Sequence, residues 1–415
     1  MNSSSVKRLK AACYTSNMSM SVVANLSPLL FLTFRTMYGI SFSLLGLLVL
    51  INFFTQLTID LIFSFFSHRF NMRKTIITMP ALSVIGLIIY ALWPFVFPEH
   101  IYAGLVIGTV IFSLGCGLAE VLLSPIIAAL PSDDPDREMS KLHSVYAWGV
   151  VGVVIFATVF LSVFSHEKWQ YLALIFALIP FSSFILFLTS EIPHMDTPAK
   201  ASGAVKLLKN KGLWMCVIAL FLGGACECTM AQWVSGYLER AVGIEKIWGD
   251  IFGVALFAAM LGLGRTLYAK KGKNITSVLF ISSVGAAVCY LVAVVSSYEI
   301  IGLIACVMTG LCVAMLWPGT LVVATERFPT GGVFVFALMA AGGDLGGSVG
   351  PQLVGVIADA VIADSGAVAV AETLSVSPEQ LGMKAGMLVG LFFSLCAIPV
   401  YYAIRKSSRK LTVSE

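Results

Sequence analysis

Charge is what this chain is short of. Asp, Glu, Lys and Arg make up 12% of its 415 residues, about half of what a soluble globular domain carries. Histidine is scarce too: there are five, and no two stand at the His-x-x-x-His spacing of a helical metal pair. There is no Walker-type phosphate loop, which removes nucleotide-driven transport, and nothing resembles an ion-channel filter loop. Long polar segments are also missing. Apolar runs and short connections use nearly the whole chain, leaving no room for a soluble catalytic domain, so the expectation is a non-enzyme without metal or cofactor.

What is present is hydrophobic sequence, 58% of the residues. About 20 apolar residues span a bilayer core, and only a helix satisfies its own backbone there. Twelve such runs are read, at 11–33, 42–66, 75–97, 101–128, 142–164, 169–189, 213–238, 247–268, 275–297, 299–325, 331–358 and 383–404. The start, with Lys7, Arg8 and Lys10, has the charge of a signal peptide. The run after it carries Asn17, Ser21 and Asn25, shows no small-residue cleavage site, and reads as a retained first helix.

With both ends placed in the cytoplasm, twenty Lys and Arg residues fall in inside segments and five outside, with Arg265 inside the eighth helix. That bias sets orientation. The net charge of +4 is then a topology device and gives no reason to expect nucleic acid. The nine cysteines lie in or at the ends of the apolar runs and read as small buried hydrophobes. Asp133-Asp134-Pro135-Asp136 has the look of an acidic metal motif. It sits in a short loop beside Arg137 without a second acidic cluster, so it reads as a solvated turn.

The longest connection, 191–211, is polar and splits the chain into six helices at 1–190 and six at 212–415. The halves echo each other: Ser124-Pro125 ends helix 4 and Trp317-Pro318 lies late in helix 10. The loop Ser64-x-x-x-His68-Arg69-x-Asn71-Met72-Arg73-Lys74 resembles the 2–3 loop signature of the major facilitator superfamily, keeping Arg69 and the basic tail but replacing both glycines and the aspartate. Glu120-Val-Leu-Leu-Ser-Pro125 and His143-Ser-Val-Tyr146-Ala-Trp148-Gly149 are similar to the fucose permease branch, a group of sugar:proton symporters. So are Glu227-Cys-Thr-Met-Ala-Gln232-Trp233, Gly264-Arg265, Trp317-Pro318-Gly319 and Asp344-Leu-Gly-Gly-Ser-Val-Gly350-Pro351. The resemblance implies an all-α membrane protein with twelve transmembrane helices in two six-helix bundles. The helix 1 aspartate of that branch is absent here, where Asn25-Leu-Ser-Pro28 stands instead.

Polar residues at i, i+4 and i+8 line one face of a helix. Asn17, Ser21 and Asn25 do so on helix 1, Asn52, Gln56 and Asp60 on helix 2, and Asp344, Ser348 and Gln352 on helix 11. Lipid gives them no partner, so each stripe faces protein or a wet cavity; interhelical glue is the competing reading. Glu120, deep in helix 4, is expected to load and release a proton, with Asp60 as a second proton site or part of an inner gate. Glu227, Gln232, Trp233, Trp317 and Asp344, with Asn25, Asn52, Gln56, His143 and Tyr146, are the candidate solute contacts. For each tryptophan, core or interfacial packing competes with stacking on a sugar ring. Arg69, Arg73 and Arg265 are assigned to gating and the cytoplasmic loops, with Glu326 or Asp344 as partner for Arg265.

The expectation is a monomeric secondary transporter in the inner membrane, with both ends cytoplasmic, taking up a small polar solute such as a sugar with protons. Its partners are solute, protons and the bilayer. Proton-driven efflux of drugs or metabolites is the alternative.

Overall fold

A computed structural model describes residues 3–66, 69–131, 135–193, 204–271, 274–296, 298–328 and 332–413. Among these the chain is helical without strands. Eleven helices are long and apolar enough to cross a membrane, and Trp148–Phe164 adds a shorter apolar one. The twelve predicted runs are all accounted for, and the chain is a multi-span all-α membrane protein.

The first half holds α1 (Ser3–Tyr38), α2 (Phe42–Phe66), α3 (Met72–Val96), α4 (Ile101–Ala128), α5 (Pro135–Phe164) and α6 (Trp169–Leu188). The second holds α7 (Lys211–Tyr237), α8 (Lys246–Trp248), α9 (Leu256–Lys271), α10 (Ile275–Val295), α11 (Glu299–Val313), α12 (Leu316–Arg327), α13 (Gly332–Ala363), α14 (Ser365–Thr373) and α15 (Pro378–Val413). Side-chain oxygens of Asn71, Asn210, Asn274 and Asp364 accept backbone N–H groups at the starts of α3, α7, α10 and α14, which fixes where those helices begin.

Two departures from the predicted runs have local causes. The tenth run is not one helix: α11 stops at Val313 and α12 starts at Leu316. Pro318 explains the break, because proline has no N–H to donate to the carbonyl four residues back, that of Ala314. The second departure is α14, nine residues between α13 and α15 that the hydropathy pattern passes over. It is too short and too exposed to be a span.

Contacts divide the chain into two compact units. Unit 1 is Met1–Gly39 with Ile51–Lys200, and unit 2 is Ile40–Leu50 with Ala201–Glu415. α2 therefore changes unit along its length. Of the expected linker at 191–211, residues 194–203 fall outside the described residues, and Ala204–Lys209 form a short 3-10 helix. In unit 1, Leu9 and Cys13 of α1, Met79 of α3, Leu122 and Ile126 of α4 and Phe187 of α6 share one buried core. All nine cysteines are unbridged.

In unit 2 the contact of α7 with α13 is backbone to backbone. A Cβ on Gly346 would collide with the Phe221 carbonyl, and one on Gly350 would stand 2.9 Å from the Ala225 carbonyl oxygen. Small residues let transmembrane helices approach this closely. Gly346→Leu is expected to force α7 and α13 apart, an overpacking cost of about 3 kcal/mol or more. Thermal unfolding of detergent-purified protein should show a Tm several degrees lower, or no monodisperse protein at all. An unchanged Tm would mean that the contact is not made.

The first turn of α2 is held within unit 2. Asp359 of α13 accepts from the backbone N–H of Phe42 at 3.1 Å and of Ser43 at 2.6 Å. A carboxylate at a helix N-terminus satisfies orphan donors and complements the helix dipole.

Candidate functional site

Unit 1 presents a polar seam between α2 and α4. Asn52 Oδ1 accepts from Ser113 Oγ of α4 at 2.6 Å and from Gln56 Nε2 at 3.0 Å. One turn further along, Gly117 admits α2 closely: its Cβ position lies 3.2 Å from Gln56 Cα and 3.0 Å from Ile59 Cβ. One turn beyond that, α2 supplies Asp60 and α4 supplies Glu120. Asp60 is 5% exposed, and its Oδ1 has no hydrogen-bond partner among the described residues. Glu120 is near enough for its charge to act on Asp60.

Glu120 is exposed while Leu118, Ala119, Leu122 and Leu123 beside it are buried. The exposed apolar stripe of α4, which a membrane would meet, runs through Ala103, Ile107 and Pro125. At 3.6 residues per turn, Glu120 stands about 120° round the helix from that stripe. Glu120 thus lies on a face of α4 other than the greasy one.

The stripe on α1 is taken up mainly by α5. Asn17 Nδ2 donates to the Leu142 carbonyl at 2.6 Å and Ser21 Oγ to that of Tyr146 at 2.9 Å. Asn25, half-buried, donates to the carbonyl of Ser21 in its own helix at 2.8 Å. The Tyr146 ring is exposed. His143 belongs to α5, but its side chain lies outside the described residues, as do Asp133 and Asp134.

Unit 2 gathers charge around the helix break. Arg265 of α9 donates from Nη2 to Glu227 Oε1 of α7 at 3.2 Å and from Nε to the Ala314 carbonyl at 3.1 Å. The second bond answers the acceptor that Pro318 leaves open. Backbone groups freed inside a membrane protein need such a partner. Glu227 Oε2 is buried without a hydrogen-bond partner among the described residues. The partner of Arg265 is thus Glu227 rather than Glu326 or Asp344. Asp344 is buried on α13, and the charges of Glu227, Asp344 and Arg265 all act on Cys228. Trp317, just past the break, lays its indole where Gly224 and Gly343 have no side chains; its Cζ3 is 3.0 Å from the Cβ position of Gly224.

The remaining candidates are placed apart from these clusters. Trp233 is buried, donates its indole N–H to the Pro351 carbonyl at 2.9 Å, and meets Phe42 edge-on at 5.8 Å. Gln232 is buried beside it in sequence. Gln352 donates to the Ser43 carbonyl at 3.2 Å, so the α13 stripe serves Asp344 at one end and the start of α2 at the other. Arg69 lies 5.6 Å over the Phe66 ring, and Arg73 is exposed in the first turn of α3.

The hydropathy pattern does not anticipate one further cluster. Asp250, 2% exposed, receives Lys246 Nζ at 3.1 Å and the hydroxyl of Ser235, and Lys246 also donates to Ser235 Oγ at 3.2 Å. Asp250 lies in the second of two π-helical stretches, Leu238–Val242 and Gly249–Ala255, a rare geometry enriched at functional sites. The signal is there in the chain: Asp250 is an acid inside a predicted apolar run, with Lys246 four residues before it. Asp359 escapes the same reading because it falls one residue past the predicted end of helix 11.

The sequence pattern of the family described as "Major Facilitator Superfamily" matches residues 12–351. No curated protein matches the chain. Solved structures share the fold at low identity. A bacterial homolog of the human lysosomal transporter Spinster, inward-facing and unoccupied, has a TM-score of 0.71 at 14% identity, covering 98% of each chain. A D-xylose-proton symporter has 0.67 at 17%, covering 94% of this chain and 96% of its own. The transporter FucP in its outward conformation has 0.58 at 14%, covering 94% and 98%.

Proposed function

The chain belongs to the Major Facilitator Superfamily, and on that premise we propose that this transporter is a proton-coupled carrier taking up a small polar solute of the sugar class, fucose- or hexose-like, by alternating access. The observation that carries the reading is the α2–α4 seam. There a hydrogen-bonded Ser113–Asn52–Gln56 line leads to buried Asp60, whose Oδ1 has no partner among the described residues, and to Glu120 beside it. Amides and hydroxyls suit a hydroxyl-rich solute. Adjacent carboxyls suit a proton, because a charge kept deep in a membrane protein costs on the order of several kcal/mol. Taking up one proton cancels one of two like charges, and a carrier uses such a difference to bias its two states. The likeness to a D-xylose-proton symporter supports the same chemistry.

Glu227, Arg265, Asp344 and Trp317 are proposed to contact solute from the second half, with polar groups to fix orientation and an indole face for a sugar ring. The moving bodies are proposed as 1–190 and 212–415, joined by 191–211, in a monomer with both ends cytoplasmic in the inner membrane.

The test is uptake into proteoliposomes of purified protein under an imposed pH gradient, with a panel of hexoses, deoxyhexoses and pentoses. At least one sugar should accumulate when the lumen is alkaline and cease to do so when a protonophore collapses the gradient. Accumulation driven by sodium alone removes proton coupling, and pH-driven extrusion of apolar cations with no sugar uptake replaces the reading by efflux.

A further inference from the structure

A cavity of about 400 Å³ opens at the turn between α2 and α3, and of its lining only Arg69, a candidate gating residue, enters the transport reading. Ile59, Phe63 and Leu118 form its apolar side, while Arg69, Lys74 and Thr75 form its polar side. No carboxylate is among the lining residues. Among the described residues Arg69 and Lys74 meet no acid, and the Arg69 guanidinium lies over the Phe66 ring. Asn71 caps α3 here, so the positive end of a 25-residue helix faces the same opening. The walls are thus half hydrocarbon and half cation, at an end of two membrane-spanning helices that the lysine and arginine distribution places at the cytoplasmic surface.

We propose that this cavity binds one anionic phospholipid of the cytoplasmic leaflet. Arg69 and Lys74 take the phosphate-bearing head group, Arg as a planar fork and Lys as a point charge. An acyl chain runs along Ile59, Phe63 and Leu118. Two cations that meet no acid among the described residues favour a lipid of net negative charge over a zwitterionic one, the preference basic residues show at this leaflet.

The position gives the lipid a regulatory route. Ile59 and Leu118 precede Asp60 and Glu120 on the same two helices, and Ile59 is the residue against which Gly117 closes the seam. An occupant pressed on Ile59 and Leu118 therefore bears on the spacing of the two carboxyls. That consequence rests on the proposed proton role, whereas the binding itself does not.

The experiment is native mass spectrometry of the purified full-length protein, titrated with phosphatidylglycerol or phosphatidylethanolamine in detergent. Wild type should retain one phosphatidylglycerol more tightly than phosphatidylethanolamine. The double variant Arg69→Gln/Lys74→Gln should weaken that step by about tenfold and leave phosphatidylethanolamine unchanged. Arg405→Gln/Lys406→Gln, a basic pair at the end of α15, is the control for general surface charge. Equal loss in the control overturns the proposal, as does displacement of the lipid by millimolar inorganic phosphate, which would show a free-anion site. Because lipid retention is read without transport, a failed uptake assay leaves this result standing.

Discussion

Replacing Glu120 by Gln should reduce solute accumulation from the level the proton gradient supports to simple equilibration. One pH unit is worth 1.36 kcal/mol per proton, enough to hold about a tenfold solute ratio across the membrane at one proton per solute. Glu120→Gln keeps the size and hydrogen-bonding capacity of the side chain but cannot exchange a proton. The inside-to-outside ratio in proteoliposomes should therefore fall from about ten to about one. Counterflow, in which labelled solute exchanges with unlabelled solute and no net proton moves, should persist. Asp60→Asn should shift the ratio the same way if the two carboxyls act as one store. A Glu120→Gln carrier that still concentrates solute tenfold carries its proton elsewhere, and the seam is then only interhelical glue.

The bilayer decides what is legible in the residues alone. Hydrocarbon demands long apolar helices and makes each embedded acid expensive, so the spans and the residues Asp60, Glu120, Glu227 and Asp344 stand out one by one. Local rules also reach the α2 stripe, because i and i+4 neighbours such as Asn52 and Gln56 bond within one helix. Partner choice across helices is out of their reach. Nothing in the chain says that the α1 stripe is spent on carbonyls of α5, or that Trp233 is pinned to Pro351 while Trp317 lies over two glycines. Those facts depend on which helix faces are brought together, and one sequence without covariation does not carry that. The break before Trp317 is different in kind. Pro318 is in plain view, and its missing donor can be assigned to the carbonyl of Ala314 by counting back four residues; only the identity of the replacement, Arg265, needs the fold.

That replacement makes Arg265 the residue whose loss should be most damaging in unit 2. It does two jobs at once, neutralising Glu227 and satisfying the Ala314 carbonyl. Breaking a fully buried ion pair by removing one partner costs about 3–5 kcal/mol. Here the side chains are 44% exposed for Arg265 and 16% for Glu227, so solvent screening takes part of that away, and about 2 kcal/mol is the better figure. The abandoned carbonyl adds about 1 kcal/mol or more. Arg265→Gln should therefore lower the Tm of the purified protein by several degrees and remove most transport. Arg265→Lys should recover only part, since one ammonium restores the charge but lacks the guanidinium fork that reaches both acceptors. The discriminating variant is Glu227→Gln/Arg265→Gln. It removes the stranded charge but not the stranded carbonyl, so it should unfold at a temperature above Arg265→Gln and below wild type. If the double variant instead loses the sum of the two single effects, the two residues act independently. The ion pair would then be incidental to what holds α7 and α9 in place.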